Sequence, residues 1–273
     1  MDEPVYNLPP PLLSAYRHGC WVVRTSNPAL LPVELTEQDF ERLIAVQLLS
    51  LEADSEAFNA WAPGLLIELV MSDPANEYPL LYRHTNLLDN HPVRVIIPVQ
   101  PGFIKAVKVA VSLDFAVRLD VKQPDAALIE ELVAALEFYL HQPTVAQPIE
   151  FFHGVLLGFY HDDPIPLWAI QEEDPQYLRY IADDGAESCY GRLAGNDDCN
   201  ALRVAEADLQ RWIDQVLATA TDCRRCEFLR SCGGYFKWPQ QNYNCAEVRR
   251  LFGKIRAAAV ELRRDLEMVS ELN

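Results

Sequence analysis

Four of the chain's seven cysteines fall within residues 222–245, in the stretch DCRRCEFLRSCGGYFKWPQQNYNC. Cys223 and Cys226 are separated by two residues, Cys226 and Cys232 by five, and Cys232 and Cys245 by twelve. A two-residue gap lets two thiolates curl onto one ion or one cluster corner, and the more distant pair can close a tetrahedron, so the pattern predicts one metal site with four cysteine ligands. Gly233 and Gly234 would let the backbone turn tightly beside Cys232. Arg224, Arg225, Arg230 and Lys237 would offset the thiolate charge. A thioredoxin-type pair fits poorly, because Cys223 follows an expected helix and is succeeded by more cysteines. Tyr235, Phe236, Trp238 and Tyr243 crowd the same loop. They are candidate peptide-binding side chains, with packing over a small metal site as the default.

The elements that must position this loop come from a chain of 273 residues, half of them hydrophobic, enough for a large core without staples. The start shows no basic stretch followed by an apolar run, and no apolar run approaches the roughly 18 residues of a membrane span. These features predict a soluble, cytoplasmic protein, a setting in which clustered cysteines read as metal ligands before disulfides. The net charge of −17 repels phosphate backbones and argues against general nucleic-acid or anionic-membrane binding. No Walker loop, dinucleotide fingerprint, GxSxG elbow or HExxH helix is present, so the chain is not expected to be an enzyme. His153 reads as a core or pocket-wall histidine, and His161-Asp162-Asp163 as a solvated helix end.

Texture divides the chain into three parts. Residues 1–90 form an N-terminal α+β segment. CWVVRTS is its strand, LTEQDFERLIAVQLLSLE a helix opened by a capping box from Thr36 to Asp39, and SEAFNAWAPGLLIELV a set of helical pieces. Residues 91–185 alternate: VRVIIPV is a strand, GFIKAVKVAVSL a helix, FAVRLDV a strand, PDAALIEELVAALEFYLH a helix, and PIEFFHGVLLGFYH a further helical piece. Two βα units of a parallel sheet result, too few to close an eight-stranded barrel. Residues 186–273 hold the other six cysteines, an amphipathic helix over VAEADLQRWIDQVLATA, and a terminal helix. The latter's stripe of Val248, Leu251, Phe252, Ile255, Leu262 and Leu266 should pack on its own domain.

The pattern CxxC, five residues, C-G-G-Y-F-K and a later cysteine resembles the SPASM domain, the cluster-binding C-terminal extension of radical S-adenosylmethionine enzymes that modify ribosomal peptides. The segment YLRYIADDGAESCYGRLAGNDDC before it fits the same pattern, and the resemblance covers about residues 177–255. It implies an α/β fold in which residues 91–185 are a partial (βα) barrel remnant and residues 186–273 a SPASM-like, Cys-rich, metal-binding domain. It assigns Cys223, Cys226, Cys232 and Cys245 to one auxiliary cluster. A second site would use Cys189 and Cys199 with a cysteine four positions after Cys232, where this chain has Phe236, so that site is broken. The CxxxCxxC loop that seats the radical chemistry is missing, since Cys20 is the only cysteine before residue 189.

The expectation is therefore a non-catalytic precursor-peptide-binding accessory protein in the biosynthesis of a ribosomally made, post-translationally modified peptide. It would present the peptide to separate tailoring enzymes, with residues 1–90 resembling a peptide recognition element. Zinc is favoured at the four-cysteine site, with a 4Fe-4S cluster as the alternative. The alternative roles are an iron-sulfur electron-transfer or partner subunit of a radical enzyme, and a scaffold acting through the C-terminal helix.

Overall fold

The computed structural model describes residues 4–188 and 209–271. Nine strands run through them: β1 (Val5–Leu8), β2 (Cys20–Thr25), β3 (Leu43–Leu48), β4 (Leu66–Val70), β5 (Val93–Pro98), β6 (Ala116–Asp120), β7 (Ile149–Glu150), β8 (Leu178–Ile181) and β9 (Glu187–Ser188). They form one sheet in the order β7-β6-β5-β4-β3-β2-β1-β8-β9. Every pairing is parallel except the β8–β9 hairpin. The fold is thus α/β with a mostly parallel sheet, as expected.

Side-chain alternation sorts the sheet into two unlike faces. Val23, Val46, Ile67, Val95 and Val117 are fully buried on one of them. Helix α1 (Phe103–Ser112) packs on β5 and β6 and is joined by α2 (Ala126–His141). The helices contribute Phe103, Val107, Ile129, Leu132 and Leu136 to the same core. Each such side chain stabilises the fold by about 1.5–3 kcal/mol. The other face is polar: Asn7, Arg24, Gln47, Glu68, Arg94 and Arg118 come from six successive strands, and all but the partly covered Arg94 are buried.

Burial of charge is tolerable only when it is paired, and here it is. Asn7 donates to Gln47 Oε1 (2.9 Å), and Gln47 Nε2 donates to Glu68 Oε2 (2.8 Å). Arg94 Nε donates to Glu68 Oε1 (2.7 Å) and Arg94 Nη2 to Glu172 Oε1 (2.8 Å), while Arg118 pairs with Glu172 Oε2. Arg24 lies over the Tyr180 ring and pairs with Asp183 at 2.9 Å. Arg118 and Arg94 hold the Glu68 carboxyl below its ordinary pKa although burial, the largest single influence, pushes it up. Glu172 arrives from the segment Leu167–Asp174, which lies across this face. Its φ of 55° is left-handed, uncommon for a residue with a Cβ.

Several expectations are corrected in the first 90 residues. The helix expected over LTEQDFERLIAVQLLSLE is a single 3₁₀ turn, Glu37–Asp39, followed by β3. The capping box does form, with Thr36 N–H and Oγ1 both donating to Asp39 Oδ2. The helical pieces expected over SEAFNAWAPGLLIELV are one turn, Glu56–Phe58, and then β4. Two βα units were expected, whereas eight strands run parallel. Short 3₁₀ turns and one four-residue helix, Leu31–Glu34, connect β1 to β4, so the helical period that advertises a βα unit is missing there. β4 and β5 pair directly across residue 90.

The remaining elements lie where expected: α3 (Phe152–Tyr160), α4 (Leu209–Thr219) and α5 (Ala246–Glu271). Helix α5 packs on α2 and α3 through Val248, Leu251, Phe252, Ile255 and Ala259. Its apolar stripe leaves the core there, and Leu262 and Leu266 are exposed. Among the described residues no helix is long and apolar enough to cross a membrane.

Candidate metal centre

All four cysteines of the 222–245 stretch line one cavity of about 30 Å³, each reaching it from a different local position. Cys223 opens a 3₁₀ turn (Cys223–Arg225), Cys226 follows that turn, Cys232 ends the helical turn Leu229–Cys232, and Cys245 immediately precedes α5. Phe228, Phe236 and Phe252 supply apolar wall, and Lys237 and Arg249 are the cations at its edge. The two glycines act as the sequence predicted: Gly233 and Gly234 both have left-handed backbone, at φ 56° and 73°. A Cβ on Gly233 would stand 3.1 Å from Trp168 Cδ1, so the turn is closed against that indole as well.

The loop is fixed to the sheet at several points. Trp168 Nε1 donates to Gly233 O (2.9 Å). Gln123 Nε2, just beyond β6, donates to Phe236 O (2.9 Å) and Gln240 O (3.0 Å). Tyr243 Oη donates to Pro124 O. The four thiols are therefore held beside the end of β6.

Burial, with the neighbouring charge of Asp222 and the other thiols, pushes Cys223 up to about 11, and burial with the other thiols pushes Cys232 up to about 12. Cys245 is also raised, again first by burial. Such thiols are poor nucleophiles at neutral pH, the opposite of a catalytic redox pair. A metal or cluster bound here would draw off their protons. The Phe236 N–H already points at Cys232 sulfur. All four cysteines are free thiols, so no disulfide competes for them.

Among the described residues no three His, Cys, Asp or Glu side chains form a group that could hold a single ion as they stand. The donor set, four thiols lining one cavity, suits zinc or an iron-sulfur cluster.

The other expected site residues distribute unevenly. Cys189 and Cys199 lie outside the described residues. Arg224 caps α4 by donating to Leu217 O (2.6 Å) and Ala218 O (3.1 Å), and Arg225 and Arg230 are exposed, so of the four cations expected only Lys237 lines the cavity. Lys237 is buried, 3.0 Å from Asp222 Oδ2 and donating to Tyr243 O (2.7 Å). Burial opposes its charge, but Asp222 and the nearby thiols hold its pKa above the usual value. Arg249, missed in the sequence, follows Cys245 by one helical turn.

Tyr235 and Phe236 cannot be surface peptide contacts, because both are buried; Tyr235 packs on Trp168 at 5.0 Å and Phe236 on Tyr243 and Phe252. Trp238 and Tyr243 are half-buried. His153 is a satisfied histidine, with Nδ1 2.8 Å from Tyr139 Oη, and His161 caps the end of α3 in solvent. Comparison with family models, with curated proteins and with solved structures finds no match.

Proposed function

We propose that the chain is a non-catalytic, metal-bearing accessory protein that binds a ribosomally made precursor peptide and presents it to separate tailoring enzymes. The carrying observation is the polar face of the sheet. Eight parallel strands in chain order with β8 beside β1 follow the strand order of a (βα)₈ barrel left open between β7 and β8. In such a barrel the C-terminal strand ends carry the chemistry and the inward side chains form a packed core. Here Asn7, Gln47, Glu68, Arg94, Glu172 and Arg118 neutralise one another, and the segment Leu167–Asp174 lies over them. These charges satisfy one another while the four-cysteine loop is kept and clamped to the sheet, which supports retention of a binding role without the radical chemistry.

The open edges of the sheet support peptide binding by strand addition, since β7 and β9 each have one side unpaired within the described sheet. Isothermal titration of the metal-loaded protein against precursor peptides encoded beside its gene tests the proposal. Saturable binding of one of them is expected, and absence of binding to all of them would sink it.

The four-cysteine donor set would also accept a 4Fe-4S cluster, which supports a second role: a cluster-bearing partner subunit of a radical enzyme. The residues that would hold the cluster are Cys223, Cys226, Cys232 and Cys245, and it would supply one-electron transfer. Protein purified without oxygen would then be brown, with about four irons and four sulfides per chain. A colourless protein with about one zinc would restore the structural reading of the site.

A further inference from the structure

A cavity of about 320 Å³, at the small end of the range for organic ligands, lies on the polar face of the sheet toward the N-terminal ends of its strands. Its floor is one pleat before the charged network. Val5, Val22, Ala45, Leu66 and Leu178 come from five different strands and share a face by register, Leu178 opposite Val5 and Val22 opposite Ala45 opposite Leu66. Tyr177 and Ile44 stand half-exposed at its mouth. The polar groups on its wall are Glu68, Arg94, Glu172 and Asp174.

These charges do not balance. Glu68 and Glu172 are engaged by Arg94 and Arg118. Asp174 accepts from Gln176 N–H at 3.0 Å through Oδ1, and no cationic side chain pairs with it among the described residues. Three carboxylates and two guanidiniums leave one negative charge facing an otherwise apolar space. Burial raises the Asp174 pKa, the sign of a carboxylate whose charge lacks compensation. An anionic ligand would add a second unpaired negative charge. A neutral apolar ligand would desolvate Asp174 further without pairing it. A metal ion would find one uncommitted carboxylate and a floor of aliphatic carbon.

We infer that this cavity is a binding site for a small organic cation with an apolar body, a primary alkylammonium in chemical class, whose head pairs with Asp174 and whose chain lies on Val5, Val22, Ala45, Leu66 and Leu178. The inference is independent of peptide binding and of what the cysteines hold.

The test is a titration of ¹⁵N-labelled full-length, metal-loaded protein with hexylammonium, with hexan-1-ol and hexanoate as neutral and anionic counterparts, read from amide chemical shifts. Hexylammonium should cause saturable shifts at Ala169, Tyr177 and Leu178 and bind at least about tenfold more tightly than hexanol, the worth of a charged hydrogen bond. Hexanoate should cause none. Asp174→Asn keeps the Oδ1 acceptor for Gln176 and so the local turn; it should bring hexylammonium to the affinity of hexanol. Ala169→Trp, at the exposed rim, should exclude both. No saturable shift at these amides with hexylammonium, equal binding of hexanoate, or unchanged hexylammonium binding in either folded variant would each overturn the assignment.

Discussion

Replacing Glu68 by alanine removes the central acceptor of the polar face and should cost more than any other single truncation there. The carboxylate is 1% exposed, accepts from Arg94 at 2.7 Å on one oxygen and from Gln47 at 2.8 Å on the other. Its loss leaves Arg94 and Arg118 to share Glu172 and leaves the Gln47 amide without its acceptor. Breaking a buried ion pair by removing one partner costs about 3–5 kcal/mol, and the stranded amide is part of that figure rather than an addition to it. About 4 kcal/mol is therefore expected against a typical total of about 5–15 kcal/mol, so the variant folds but is marginal. Urea unfolding followed by circular dichroism at neutral pH measures the loss, with an unchanged slope showing that the same two states are compared. The double replacement Glu68→Met with Arg94→Met should recover much of it, because a packed apolar pair avoids the desolvation cost. The sign of the pH dependence follows from the depressed folded pKa of Glu68: its stabilisation is present above the unfolded value near about 4.3 and fades as pH falls through the folded one. A loss below about 1 kcal/mol for Glu68→Ala, or a double variant no better than the single, would refute the view that this network organises the face.

Three further outcomes are expected. Cys232→Ala should reduce bound metal to background and lower the melting temperature of protein purified without oxygen, by elemental analysis and thermal unfolding; retention of full metal content would remove Cys232 from the site. Gly233→Ala should destabilise by about 1–2 kcal/mol, because the turn is left-handed and the new methyl meets Trp168, whereas Gly253→Ala in open space on α5 should stabilise by up to about 1 kcal/mol. His84 is buried between Ser55 Oγ and Leu51 O, both at 3.0 Å, and burial lowers its pKa. The unfolded chain then takes up the proton first, so stability should fall as pH drops below about 6.5, and His84→Gln should flatten that slope in unfolding experiments between about pH 7 and 5.5.

What the sequence disclosed depended on whether a signal was local. The cysteine loop was legible because its spacing is contiguous and because Gly233 and Gly234 have one main physical use beside a packed ligand. The helices α1, α2 and α5 were legible from their period. β3 was not: in LIAVQL the polar-face residue Ala45 is itself apolar, so strand alternation is hidden and the run passes for a helix face. The polar network was illegible for a different reason. Each strand contributes about one member, so Asn7, Arg24, Gln47, Glu68, Arg94 and Arg118 stand some 17 to 26 residues apart and form a set only once register aligns them. A signal existed in retrospect, since charged residues inside the apolar runs IELV and VRVII demand a buried partner. The aromatic cluster was legible in kind and misplaced in role: Tyr235 and Phe236 follow the glycine turn inward rather than outward.

One short segment joins these features. Within Leu167–Asp174, Trp168 binds the glycine turn beside Cys232, Ala169 and Asp174 line the apolar cavity, Gln171 accepts from Val121 N–H at 3.0 Å, and Glu172 bridges Arg94 and Arg118. Four consecutive commitments of this kind leave the segment little freedom to move one contact without the others, and the left-handed backbone at Glu172 is the local conformation that lets a single turn serve them all. The cysteine loop and the sheet are consequently parts of one mechanical unit. Displacing this segment should therefore disturb the thiol loop and the polar face of the sheet together, because the same eight residues contact both.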